Sequence, residues 1–247
     1  MQTVAVAKPT GNLLLDSIPE GEFLRIQKVL KYVCLKEGET LSTQGEQTQY
    51  IYFPTTALIS CRGNGSDGET VEIYSVGHEG LAEPASILTG IAAVTVEVQI
   101  AGDAYRVTID DLCNAIRETK ELPELLLKYA YSLAVRMVQA TKCAMFHTVR
   151  QRLVLWLLLA SRSHGPTIPS THRAIAEALG ARRASVTVEM EELAAKGIIA
   201  RRRGRITILN RSELEAASCE CYKLIKAGQE PDIKCYPLTH IPERAVS

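Results

Sequence analysis

The stretch from Thr171 to Ala200 reads THRAIAEALGARRASVTVEMEELAAKGIIA, and its spacing decides how the chain is organised. Ser170 or Thr171 can cap a first helix on which Ile175 and Leu179 share one face. Gly180 permits a sharp turn, and a second helix follows in which Val186, Met190 and Leu193 point inward before Gly197 ends it. Two short helices locked by small and apolar residues form a helix-turn-helix pattern. Such a pair leaves the N-terminal turn of the second helix free to enter the major groove of duplex DNA.

Directly downstream, Ile198-Ile199-Ala200 and Arg205-Ile206-Thr207-Ile208-Leu209 read as two strands around the tip Arg201-Arg202-Arg203-Gly204. Four arginines on one tight hairpin repel each other unless a polyanion such as the phosphate backbone neutralises them. The charge distribution agrees. The formal net charge is zero, yet residues 142–211 hold thirteen Lys and Arg against four Asp and Glu, an excess of nine that the rest of the chain offsets. That split suits one module facing a polyanion and another facing something else.

Upstream, residues 29–110 read as many short strands. Val71, Ile73 and Ser75 alternate with charged neighbours, Val94, Val96, Val98 and Ile100 alternate with polar ones, and Tyr105, Val107 and Ile109 repeat the pattern. Glycines punctuate the run, and Asn64-Gly65 is a hairpin signal, so a compact antiparallel roll is expected. A helical pattern then runs from about Pro123 to Thr148. Its stripe of Leu122, Leu126, Tyr129, Leu133, Met137, Ala140, Ala144 and His147 is expected to form a seam between two subunits rather than core within one. Arg150 to Ser161 reads as an apolar helix carrying the single Trp156, and Ser163 to Pro169 as a loop.

The order of these parts resembles the CRP/FNR family of bacterial transcription regulators over roughly residues 13–222. The best-matched parts are the helix pair with its RRRGRITIL wing and, more weakly, YIYFPTTALIS and GHEGLAEPAS in the roll. The resemblance implies an α+β fold: a cyclic-nucleotide-binding-like β-roll over 13–121, a dimerisation helix over 122–148, and a winged helix-turn-helix over 149–222. The residues from 223 to 247 are expected to be a flexible tail, and the first ten residues also look loose. Carried across by position, the base-reading residues of the family fall on Arg183, Ala184 and Val188, and its helix-start phosphate contact falls on Thr171, beside His172 and Arg173. Arg183 can take a guanine in bidentate fashion, whereas Ala184 and Val188 offer only apolar contact to thymine methyl groups. Arg182, Ser185 and Thr187 can add base or phosphate contacts, and Arg201, Arg202, Arg203 and Arg205 are expected on phosphates.

Several functions are disfavoured. No Lys or Arg lies between Arg62 and Arg106, while Asp67, Glu69, Glu72, Glu79, Glu83, Glu97 and Asp103 do. A cyclic nucleotide phosphate in the roll would therefore meet uncompensated negative charge. No cysteine precedes Cys34, so the N-terminal iron–sulfur cluster of FNR-type sensors has no ligands. Most of Cys34, Cys61, Cys113, Cys143, Cys219, Cys221 and Cys235 are expected to be small packing residues, since Cys219-Glu220-Cys221 with Cys235 fits neither a zinc ribbon nor a cluster run. His78 and His147 read as hydrogen-bonded structural residues rather than haem ligands. A cupin-like enzyme needs two histidines and a carboxylate on its metal, and the roll offers only His78 beside Glu79. No cofactor or metal is expected. The longest apolar run, Leu153 to Ala160, is too short to span a bilayer, and a cytoplasmic, membrane-free protein is expected. Its expected partners are double-stranded DNA, a second copy of the chain and RNA polymerase, with the effector unassigned. The alternative is a ligand- or redox-sensing module that does not read DNA.

Overall fold

A computed structural model describes residues 6–65 and 70–227. Helices α1 (Leu13–Ser17) and α2 (Glu20–Ile26) precede strands β1 (Lys31–Leu35), β2 (Thr40–Ser42), β3 (Tyr50–Pro54), β4 (Leu58–Asn64) and β5 (Thr70–Val76). A single turn, α3 (Ser86–Thr89), leads to β6 (Thr95–Ile100) and β7 (Gly102–Thr108), and α4 (Ile109–Glu118) closes this half. The second half comprises the long α5 (Glu121–Phe146), α6 (Val149–His164), β8 (Thr167–Ile168), α7 (His172–Leu179), α8 (Arg183–Ala195), β9 (Ile199–Arg202), β10 (Arg205–Ile208), α9 (Arg211–Ala216) and α10 (Glu220–Ala227). Helices accompany sheets whose described strand pairs are all antiparallel, as the α+β reading anticipates.

Two antiparallel sheets make the roll, ordered β1-β7-β3 and β2-β6-β4-β5. Their inward residues, among them Ile51, Phe53, Ile59, Val76, Val98 and Val107, are essentially solvent-free and form one core. Alternation in β6 and β7 generates this, because successive strand residues face opposite sides. The N-terminal segment is not loose where it is described. Thr10 donates from its backbone N to Asp16 Oδ1 at 2.7 Å. The buried Asn12 side chain donates to the carbonyls of Pro54 and Gly80 at 2.7 and 2.8 Å. Asn12 also caps α1. The tail expected over 223–247 is corrected in its first part, because residues 223–227 continue helix α10 and bury Ile225 in the core; residues 228–247, like residues 1–5, lie outside the described residues.

α5 divides its faces between two jobs. Leu122, Tyr129 and Leu133 are buried in the core of the roll, with Leu126 and Met137 packed against it. Gly80 lets the roll approach this closely, since a Cβ there would sit 2.1 Å from the Tyr129 ring. The Tyr129 hydroxyl donates to the Leu81 carbonyl at 2.7 Å. The stripe expected to meet a second subunit is therefore corrected: Leu122, Tyr129 and Leu133 are spent inside the chain. Ala140 lines a cleft against β5 and α6, Ala144 is exposed, and His147 caps the helix end. A different stripe is exposed, comprising Leu127, Tyr131, Ala134, Val138, Thr141 and Met145 at alternating spacings of four and three. Both stripes carry a helical repeat, so periodicity does not say which one faces inward.

Thr148 begins α6 with a capping box, accepting from Gln151 N while the Gln151 side chain accepts from Thr148 N. α6 is the spine of the second core: Leu153, Val154, Leu157 and Leu158 are solvent-free and pack with Ile175, Val186, Met190, Leu193, Ile206 and Leu214. It runs on to His164, and Thr167 and Ile168 form β8 instead of a plain loop.

Candidate nucleic-acid interface

Thr171 caps α7, its side chain accepting from Ala174 N at 3.1 Å. Ile175 and Leu179 are buried, and Gly180 takes a left-handed turn at φ 54°. A side chain with a Cβ adopts that conformation only at a cost. α8 then packs Val186, Met190 and Leu193 against α6 and α7, all three with no exposure. The opposite face of α8 presents Ala184 and Val188 to solvent, Val188 being 53% exposed, and Arg183 is exposed at the first turn of the helix. An apolar side chain standing free at this position is what contact with a base methyl group would require.

β9 and β10 form the wing, with register Arg205 to Arg202, Ile206 to Arg201, Thr207 to Ala200 and Ile208 to Ile199. β9 thus extends through Arg202, two residues further than its apolar run, and Arg203 with Gly204 alone makes the turn. β8 pairs with β10 on the other side, tying the wing to the end of α6. Ile206 and Ile208 are buried beneath it, while Arg202, Arg203 and Arg205 project outward. Arg201 also reaches Glu191 on α8 at 3.7 Å.

These elements bound one cleft, walled by Thr171, His172 and Arg173 on one side, Arg183 on another, and Arg201, Arg202, Arg203 and Arg205 on the wing. Two residues expected here, Thr187 and His172, bind each other. The Thr187 hydroxyl donates to the Arg183 carbonyl at 3.0 Å and stands 3.1 Å from His172 Nδ1. That pair bolts α7 to α8 instead of reaching outward. Burial, together with the charges of Arg201 and Arg183, holds the His172 pKa below its usual value. Arg173 pairs with Glu177 at 2.9 Å but stays on the surface.

The roll does have a cation in its interior, although its own stretch of sequence offers none there. Arg136 reaches in from α5, pairs with Glu79 at 2.8 Å and donates to the Ser75 carbonyl. Burial alone would raise the Glu79 pKa, but Arg136 and the backbone donors of Glu79 and Gly77 hold it below the usual value. Burial has the upper hand at Glu72, raising its pKa despite hydrogen bonds from Ser60 and Gln99 and the charges of Arg62 and Arg136. Most of the described cysteines are core residues, as expected: Cys61, Cys143, Cys219 and Cys221 are buried, and Cys34 is exposed. Cys143, Cys219 and Cys221 also converge with His147 where α10 packs on α5. Cys235 lies outside the described residues.

Comparison with known proteins agrees with this architecture. Residues 151–217 match the Crp-like helix-turn-helix domain. The global nitrogen regulator of Synechococcus elongatus is 24% identical over 190 residues, covering 71% of this chain and 84% of that protein. FixK2 from Bradyrhizobium japonicum superposes with a TM-score of 0.67 at 17% identity, covering 77% of this chain and 98% of that one. A CRP/FNR-family transcriptional regulator from Thermus thermophilus superposes with a TM-score of 0.62 at 18% identity, covering 76% and 98%. With a roll, a long helix and a Crp-like helix-turn-helix domain in this order, the chain has a CRP/FNR-like fold that ends in a DNA-binding type of module.

Proposed function

We propose that the chain acts as a homodimer that reads an inverted-repeat operator in duplex DNA without gating by cyclic AMP. The arginine-walled cleft between α8 and the wing carries this reading. Its wing residues hold phosphates and fix the register, Arg183 reads guanine, and Ala184 and Val188 contact thymine methyls. Arg182 and Ser185, at the start of α8, supply further polar contacts.

The exposed stripe from Leu127 to Met145 supports the dimer, because alternating spacings of four and three make a coiled-coil seam. Two-fold symmetry would then set half-sites about 10 base pairs apart. The roll's arginines are already engaged, which supports independence from cyclic AMP. Arg62 pairs with Glu97 at 3.3 Å, Arg136 with Glu79, and Arg106 lies over the Tyr50 ring at 4.2 Å. Freeing Arg62 or Arg136 for a phosphate would leave a carboxylate without its cation.

In this reading the chain works in the cytoplasm, contacts RNA polymerase and has no enzymatic activity of its own; no helix among the described residues is long and apolar enough to cross a membrane. Selection of bound duplexes from a randomised pool tests the whole reading. A two-fold symmetric motif with a guanine in each half is expected, and recovery of unpatterned sequence rejects it. Calorimetric titration with cyclic AMP should show no saturable heat at micromolar concentration. Saturable binding would overturn the nucleotide-independent reading.

A further inference from the structure

Cys143 and His147 lie four residues apart on the last turns of α5, so their side chains share one face. Cys219 and Cys221 flank Glu220 where α10 begins. Packing of α10 on α5 brings the two pairs together. Cys143 Sγ lies 3.8 Å from Cys219 Sγ, His147 Nδ1 lies 3.4 Å from Cys143 Sγ, and Cys221 Sγ lies 3.6 Å from His147 Nδ1. All four atoms fall within 4.8 Å of one another, and the three cysteines are buried.

We propose that these four residues hold one zinc ion in a closed Cys3His site that clips the end of the long helix to the last helix of the DNA-binding unit. Zinc takes thiolate at about 2.3 Å and imidazole at about 2.0–2.1 Å in a tetrahedron. A tetrahedron of those dimensions has sulfur–sulfur edges of about 3.8 Å and sulfur–nitrogen edges of about 3.6 Å. The three separations given above match these edges. A merely space-filling cluster has no reason to turn three thiols and a ring nitrogen toward one point, where apolar neighbours pack equally well.

The surroundings complete the site. With Nδ1 facing the cysteines, His147 Nε2 faces Glu220 Oε1 at 3.5 Å. Glu220 is held in turn by Lys142 Nζ at 2.8 Å. A carboxylate behind the far nitrogen of a ligating histidine fixes its tautomer and raises its basicity. Soft sulfur donors favour zinc over magnesium or calcium. Donors gathered so tightly suit one ion, whereas an iron–sulfur cluster would need them spread around it. Four protein ligands leave no open position, so the site is structural and not catalytic. On binding, the metal replaces three thiol protons, which leave to solvent. The clip lies one residue before Thr148, where the chain enters α6, so the loaded site fixes the DNA-binding unit against α5.

The test uses the full-length chain purified under reductant without chelator. Elemental analysis should find close to one zinc per chain, and replacement by cobalt should give an intense thiolate-to-cobalt charge-transfer band with tetrahedral d–d absorption. C219S should lose that band. Should C219S fail to fold, E220Q, altered at an exposed carboxylate, should keep the fold and weaken the metal 10- to 100-fold against a chelating dye. Less than a tenth of an equivalent of zinc with no cobalt band overturns the proposal. So does stoichiometric iron with acid-labile sulfide, or a metal-free chain two hydrogens lighter through a Cys143–Cys219 disulfide. Stripping zinc should also lower operator affinity at least tenfold, and unchanged affinity overturns the clip. That last readout rests on the DNA-binding reading, whereas metal content is measured without DNA, so the two can fail separately.

Discussion

Arg202 and Arg205 stand directly opposite each other across the wing, at the two ends of a two-residue turn. Like charges in a cross-strand pair oppose hairpin formation, so the free protein carries a local strain that a phosphate would relieve. Replacing either with Ala should weaken binding to every duplex alike and lower the slope of log affinity against log salt by about one unit. The melting temperature of the free protein should stay level or rise slightly. Fluorescence anisotropy over a salt series, with calorimetry alongside, checks both. Loss confined to one operator position would show that the wing reads bases.

Arg183 is the first residue of α8 and stands exposed at the open N-terminal end of that helix. Arg183→Ala should cost roughly ten- to a hundredfold at the cognate site and relax one guanine in each half-site, with general affinity little changed. Selections run in parallel on wild type and variant decide it. An identical base preference at all positions would assign Arg183 to a phosphate.

The two stripes of α5 separate dimerisation from folding. Val138 is 62% exposed and Leu133 only 4%. Leu127→Glu with Val138→Glu should leave a folded monomer by sedimentation and abolish operator binding. Leu133→Glu should unfold the roll, because it buries a charge without a partner. A dimer that survives the first pair would place the seam elsewhere.

The Arg136–Glu79 pair is buried, with side-chain exposures of 7% and 14%. Removing one partner of such a pair costs about 3–5 kcal/mol, so Glu79→Gln should melt well below wild type. The pH dependence has a definite sign. Folding lowers the Glu79 pKa from 4.5, so its contribution is complete above that pH and is lost as pH falls through the lower folded value. The stability gap between wild type and Glu79→Gln should therefore narrow below about pH 4.5. A gap that is constant with pH would mean that Glu79 is not ionised in the fold.

The helix pair, the wing and most strands were legible in the sequence because local signals agree there. Gly180, Gly197 and Gly204 all take positive φ where turns were expected, and the buried face of α8 is the one its spacing indicated. What escaped depends on contacts between distant residues. β8 has only two residues between prolines, and its partner β10 lies nearly forty positions away. The inward stripe of α5 could not be told from the outward one, because the roll that covers it is folded from earlier residues. Cys143 and His147 stand more than seventy residues from Cys219 and Cys221, and only the packing of α10 on α5 makes them neighbours. The local hints were an i,i+4 Cys–His pair at a helix end and the Cys219-Glu220-Cys221 spacing, neither of which is a metal site alone.

Leu122, Tyr129 and Leu133 reside in the first core although they lie beyond the last strand and α4. A fragment ending at residue 121 would expose the floor of that core and leave Glu79 without its arginine. The smallest piece of the N-terminal half able to fold alone must therefore run through α5. Limited proteolysis of the native chain should accordingly yield a stable fragment cut near Phe146 to Thr148, never one cut between Lys120 and Pro123. The seam between these two modules thus falls at the far end of the helix that, by sequence, reads as the spacer between them.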